Sequence, residues 1–128
     1  CGQLALLLIT MLRYKNIPAR WQSGWMMHPG EVNLHEWAEY YVSDIGWIPL
    51  DISFARADIE KSSLPKRFFI SGIDSYRLYI NNDFSGHFHP PKKFPRSETV
   101  DFQRGEVETD NENLYFDKWS YSMQVEYL

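Results

Sequence analysis

The sequence predicts an α+β fold, with a helix carrying Cys1 packed on an antiparallel β-sheet and extra β-strands toward the C-terminus. Three observations predict it. Residues 3 to 14, QLALLLITMLRY, form one apolar segment of helical length. Three strand-like segments follow between residues 19 and 52, separated by turn signals. Aromatic residues make up 16% of the chain, with 5 Trp, 8 Tyr and 8 Phe, which suits a β-rich fold, a substrate groove, or both.

The first helix is apolar on most faces, which predicts a buried helix. Asn16-Ile17-Pro18 should end it, because the residue before a proline avoids helical backbone angles. Strands are then expected over 19 to 27, 36 to 42 and 46 to 52, the last after a turn at Ser43 to Gly46. Residues 55 to 72 suggest loop and short helix. Residues 75 to 81 suggest a strand, closed by a turn at Asn82-Asp83. The proline-rich stretch 87 to 96 suggests an irregular loop. Two more strands are expected at 99 to 108 and 118 to 128, around the polar turn Asp110 to Asn113. The stretch ENLYF at 112 to 116 resembles part of a protease tag, but Asp117 breaks the match and the segment is taken as native. No internal repeat or second-domain boundary is visible, so a chain of 128 residues is expected to form a single domain.

Composition narrows the function. Hydrophobic residues are 44% and charged residues 23%, ordinary for a globular protein that buries its own core. The net charge is −4 and the pI is near 5.5. The one basic cluster, Lys92-Lys93 with Arg96, is broken by prolines and is expected to be a solvated loop, so no nucleic-acid partner is expected. No apolar run reaches the roughly 18 residues of a membrane span, and Leu4 to Leu12 lacks the flanks of a signal peptide. A single cysteine allows no intramolecular disulfide and does not fix the compartment, with an extracytoplasmic one (periplasmic or secreted) favoured.

The chemistry centres on that cysteine. Cys1 stands directly before the apolar helix, where free N–H groups and the positive end of the helix dipole favour a thiolate. Gly2 would let a substrate or another backbone approach. His35 opens a strand-like run and Asp51 lies late in the next. If these strands pair antiparallel across the turn at 43 to 46, His35 and Asp51 fall near the same open end. Asp51 can then hold one ring nitrogen of His35 while the other faces the thiol, which is the logic of nucleophile, base and orienter.

Three segments carry a family resemblance. CGQLALLLITMLRYKNIPAR resembles the cysteine helix and strand entry of the transglutaminase-like superfamily, HEWAEYYV its histidine strand, and GWIPLDIS its aspartate strand. The order matches, as do separations of 34 residues from Cys1 to His35 and 16 from His35 to Asp51. The resemblance covers residues 1 to about 54 and implies a cysteine-protease-like, papain-like catalytic core there, with residues 55 to 128 as a β-rich continuation. It implies Cys1 as nucleophile, His35 as base and Asp51 as third member. It further implies a bacterial member, truncated at the N-terminus and therefore weak or inactive in this form, since the family has a helical segment before its cysteine.

Other residues are assigned supporting roles. Trp37 and Trp47 should pack and fix the hairpin. Glu39 shares the strand face of His35 and Trp37 and should be a structural hydrogen-bonder. Arg20 either pairs with a carboxylate near the site or simply packs. His87 and His89 form an H-x-H pair, but Pro90-Pro91 follows and no third donor lies nearby, so no metal site is expected. Asn81-Asn82-Asp83 lacks the spaced acids of a calcium loop.

The resulting expectation is a thiol enzyme acting on amide bonds of a peptide or protein substrate through a thioester, without a cofactor. Hydrolysis (peptidase or amidase) is favoured over protein-glutamine acyl transfer. The alternatives are an inactive or truncated module that binds peptide or glycan, and an enzyme in which the Cys1 amine is the base. The sequence does not fix the oligomeric state.

Overall fold

The computed structural model describes residues 1–56, 67–101 and 103–128. Helix α1 spans Gly2–Tyr14 with Cys1 at its N-cap. It stops where the sequence predicts. Asn16 turns to φ 58°, and the N–H groups of Asn16 and Ile17 satisfy the carbonyls of Arg13 and Leu12 at 2.9 Å each. The expectation of a buried helix holds on one side only. Ala5 and Ile9 are buried, and Leu6, Leu8 and Leu12 pack against the same cluster, whereas Leu7, Met11 and Tyr14 are more than half exposed. The sheet covers one stripe of the helix, and positions 7, 11 and 14 form the stripe it leaves uncovered.

Four antiparallel strands form the main sheet in the order β3-β2-β1-β4. Strands β1 (Ala19–His28) and β2 (Glu31–Val42) make a hairpin paired from Ala19 with Tyr40 to His28 with Glu31. Strand β2 thus begins at residue 31 rather than 36, and His35 lies inside the strand instead of opening it. The cause is the two-residue turn Pro29-Gly30, with Gly30 at φ 83°, which carries pairing through the polar residues Glu31 and Asn33. Strand β3 (Gly46–Leu50) adds to β2 after a turn in which Asp44 and Gly46 take positive φ. It ends two residues short of the expected 52, because Asp51 leaves the ladder and Ile52 begins helix α2 (Ile52–Arg56).

Strand β4 (Arg77–Asn81) pairs with the other edge of β1, with a register shift at Ser23/Gly24. Gly24 is dictated by this approach, since a Cβ there would sit 1.9 Å from the Leu78 carbonyl oxygen. Of the loop and short helix expected at 55 to 72, residues 57 to 66 lie outside the described residues. The remainder holds the end of α2 and a 3-10 turn at Phe68–Ile70.

The core joins Ala5 and Ile9 of α1 to Ala19, Trp21, Ala38 and Leu50 of the sheet. Phe84 and Val100, from the second half of the chain, pack on the same cluster, Phe84 meeting Trp21 edge-on at 5.9 Å. The stretch 87 to 96 is irregular, as expected.

The two C-terminal strands are a correction. Among the described residues, the strands here are Val107–Glu108 (β5) and Asn113–Leu114 (β6), which pair with each other, and 118 to 128 holds no strand. Side chains, rather than a backbone ladder, organise this region. Glu108 and Glu106 accept from the N–H groups of Lys93, Phe94, Ser97 and Glu98. Trp119 donates to the Leu114 carbonyl and Tyr127 to that of Met27. The alternating aromatics that suggest strands are single anchors, each using its polar tip.

Candidate active site

Asp51 follows directly on β3, and its two oxygens have separate tasks. Oδ1 accepts from the N–H groups of Ser53 and Phe54 at 3.0 and 3.2 Å, which caps α2. Oδ2 faces His35 Nε2 at 2.7 Å and accepts from Arg77 Nη1 at 3.0 Å. The Asp51 backbone N–H donates to the Phe69 carbonyl at 2.8 Å. The carboxylate is therefore held on every side and is fully buried, with His35 3% exposed. Burial alone pushes the Asp51 carboxyl up. The hydrogen bond and charge of His35, then the charge of Arg77 and the Phe54 N–H, outweigh it and hold Asp51 below the usual carboxylate range.

With Nε2 engaged, Nδ1 is the ring nitrogen left for the thiol. Cys1 Sγ, a His35 ring nitrogen and a Glu36 carboxylate oxygen all lie within 4.8 Å of one another. Cys1 is exposed at the mouth of a cleft of about 190 Å³, with His35, Met26, Leu34 and Phe54 among its walls. The structure thus brings Cys1, His35 and Asp51 together in the order the sequence suggests. Gly2 serves a different neighbour from the one expected. A Cβ there would meet the Trp21 indole at 3.1 Å, so this glycine seats the start of α1 on the sheet.

Several residues of the site escape sequence reasoning. Arg77, with its side chain 3% exposed, bridges Asp51 to Asp74, and Asp74 Oδ1 in turn faces His28 Nε2 at 3.1 Å. Burial pushes Asp74 up, but the charge and hydrogen bond of Arg77, the Tyr76 N–H and His28 bring it below the usual range. Two histidine–aspartate pairs therefore share one buried arginine. Phe54 is the hub of this wall, with both imidazoles edge-on to it at 5.4 Å and the Arg77 guanidinium 4.5 Å over its ring. Glu36 is held by Gln103, whose Nε2 donates to Oε1 at 2.7 Å. Glu36 directly follows His35 in the sequence. Asp51 and Arg77 are 26 residues apart, and no local pattern joins them.

The remaining candidates are structural. Trp37 is buried beside His35 and donates to Gln22. Trp47 is partly exposed, yet it pairs across the hairpin with Tyr41 and lies 4.2 Å under the Arg20 guanidinium. Arg20 pairs with Glu39, its cross-strand partner, at 2.6 Å, so the carboxylate it meets is not one of the site. His87 and His89 are exposed in the irregular loop. Among the described residues, the group of three side chains able to hold a metal ion is Cys1, His35 and Glu36. No helix among the described residues is long and apolar enough to cross a membrane.

A thiol at a helix start beside a buried histidine–aspartate pair is an arrangement that can support nucleophilic thiol chemistry. Residues 1–52 match the family model of the transglutaminase-like superfamily, and the matched stretch contains all three of these residues. No curated protein and no solved structure matches the chain.

Proposed function

We propose that this protein is a thiol enzyme acting on amide bonds, with a papain-like core in which Cys1 is the nucleophile, His35 the base and Asp51 the residue that orients the base. His35 Nδ1 takes the proton of Cys1 Sγ, and Asp51 stabilises the imidazolium that results. The thiolate attacks the amide carbonyl carbon. The imidazolium then returns its proton to the leaving amine or ammonia, and a thioester remains on Cys1. Water or a primary amine resolves it, and His35 again accepts a proton from the attacking group.

The observation that supports this reading best is the buried His35–Asp51 pair, 2.7 Å between Nε2 and Oδ2, set beside a thiol at a helix start. The helix dipole and first-turn N–H groups favour the thiolate, and the cation on the other side favours it further.

The test is a panel of glutamine-containing and internally cleavable peptides, with and without a fluorescent primary amine. Release of ammonia or peptide fragments, dependent on Cys1 and accompanied by an acyl adduct on Cys1 by mass spectrometry, is the expected result. Incorporation of the amine would move the assignment to transfer. A reactive thiol without turnover of any amide would overturn the enzymatic reading and favour a module that binds its peptide or glycan without cutting it.

A further inference from the structure

We propose that Cys1, His35 and Glu36 form a binding site for a thiophilic divalent cation, Zn²⁺, whose occupancy silences the thiol. The three donors are a sulfur, an imidazole nitrogen and a carboxylate oxygen, and they lie within 4.8 Å of one another. This is the donor chemistry that selects zinc over magnesium or calcium. Around a tetrahedral zinc the same donors would stand about 3.4–3.6 Å apart, given bonds of about 2.0–2.3 Å. The contraction required is on the order of 1 Å. Rotation of the exposed Cys1 side chain about its own Cα–Cβ bond supplies the sulfur's share of it, and adjustment of the half-buried Glu36 side chain supplies the rest.

Two further observations carry the inference beyond a simple cluster. Metal-bound histidines normally give their other ring N–H to a carboxylate, which fixes the tautomer and raises ligand basicity. His35 has that arrangement, with Nε2 against the buried Asp51 and Nδ1 left over. The carboxylate ligand is also supported from outside. Buried Gln103 donates to Glu36 Oε1, which leaves Oε2 for a metal. Oε2 lies on the Gly2 side, 3.8 Å from where a Gly2 Cβ would be, and so beside the helix start that bears the thiol. Three protein ligands with an open fourth position toward the cleft describe a site that takes a metal and keeps one water.

Binding releases the one proton that Cys1 and His35 share, which frees Nδ1 and the thiolate together, and forms the Zn–S and Zn–N bonds with no change of oxidation state. The metal then occupies the lone pair of Nδ1 and the thiolate together, so neither base nor nucleophile is available. The cation site does not depend on which amide is the substrate, because binding is measured directly.

The experiment is titration of chelator-treated protein with ZnCl₂ by calorimetry, beside the rate of iodoacetamide alkylation with and without Zn²⁺. Co²⁺ serves as the spectroscopic probe. The expected result is one Zn²⁺ per chain, protection of the thiol by Zn²⁺ but not by Mg²⁺ or Ca²⁺, and a thiolate-to-cobalt absorption band. Gln103→Ala, which removes a supporting partner, should weaken Zn²⁺ about 10–100-fold, and Glu36→Gln, which removes a ligand, by more. In both variants the metal-free circular dichroism spectrum and melting temperature check that the chain is still folded. His87→Ala with His89→Ala should bind Zn²⁺ as the wild type does. Zn²⁺ that fails to protect the thiol would overturn the proposal. So would undiminished affinity in Glu36→Gln, which would indicate chelation without the carboxylate, or binding lost with His87 and His89.

Discussion

Replacing Arg77 by Met tests the wiring behind the site. The guanidinium is buried against Asp51 at 3.0 Å and Asp74 at 3.1 Å, and the side chain is 3% exposed. Met retains much of the aliphatic stem but removes the guanidinium that lies over Phe54, and it leaves two buried carboxylates without their cation. Removing one member of a buried ion pair typically costs about 3–5 kcal/mol, against about 5–15 kcal/mol of total stability for an ordinary domain. Urea denaturation should therefore show a large loss, with Arg77→Lys intermediate because a single ammonium cannot fork between two carboxylates. The pH dependence separates wiring from bulk stability. Asp51 lies below its unfolded value in the native state, so its contribution is present above that value and lost as pH falls through the folded one. Without Arg77 the carboxyl ionises less readily, and that loss begins at higher pH. The acid limb of Cys1 alkylation should move up with it, because a protonated Asp51 no longer supports the imidazolium. An alkylation profile that superimposes on the wild type, together with lowered stability, would show that Arg77 only holds the fold.

Two other perturbations reach the site through different physics. Gly24→Ala places a methyl where the Leu78 carbonyl stands, so β4 must leave β1 and carry Arg77 with it. It should cost more than the roughly 1–3 kcal/mol of ordinary overpacking, measured by urea denaturation, and lower thiol reactivity in parallel. Asp101 behaves oppositely to Asp51. Its carboxyl is pushed up to about 6 by burial and by the charges of Glu36 and Glu98. The folded state then holds a proton that the unfolded chain releases, so stability falls as pH rises from about 4 to 6. Asp101→Asn should be more stable than the wild type at pH 7 and equal to it near pH 3.5, by melting temperature. An equal or lower melting temperature at pH 7 would refute the assignment.

How much of this was legible in the sequence follows from how local each signal is. Helix α1 and its stop at Asn16-Ile17-Pro18 are set by neighbours a few residues apart, and they stand where expected. The β2–β3 hairpin is a single turn, so its two strands share an open end and bring His35 and Asp51 to 2.7 Å. The start of β2 was misplaced because a Pro-Gly turn can carry a ladder through polar residues. Arg77, Asp74 and Gln103 come from distant segments, and only the docking of β4 and the chain beyond it sets them beside the site. The C-terminal region misled for another reason. Its aromatics alternate as strand residues do, but no neighbouring strand completes the ladder, and Trp119 and Tyr127 instead anchor to carbonyls one at a time.

The central claim is that Cys1 and His35 form a thiolate–imidazolium pair. It is tested most directly by the pH dependence of alkylation of Cys1, the single cysteine of the chain, in the wild type and in His35→Ala. A free cysteine has a pKa near 8.5, and a cationic imidazole can lower it by several units. The helix start lowers it as well, and the variant isolates that contribution. The account predicts rapid alkylation well below neutral pH in the wild type and a profile displaced to higher pH in His35→Ala. Coincident profiles would contradict it, because the thiol would then be reacting without its base.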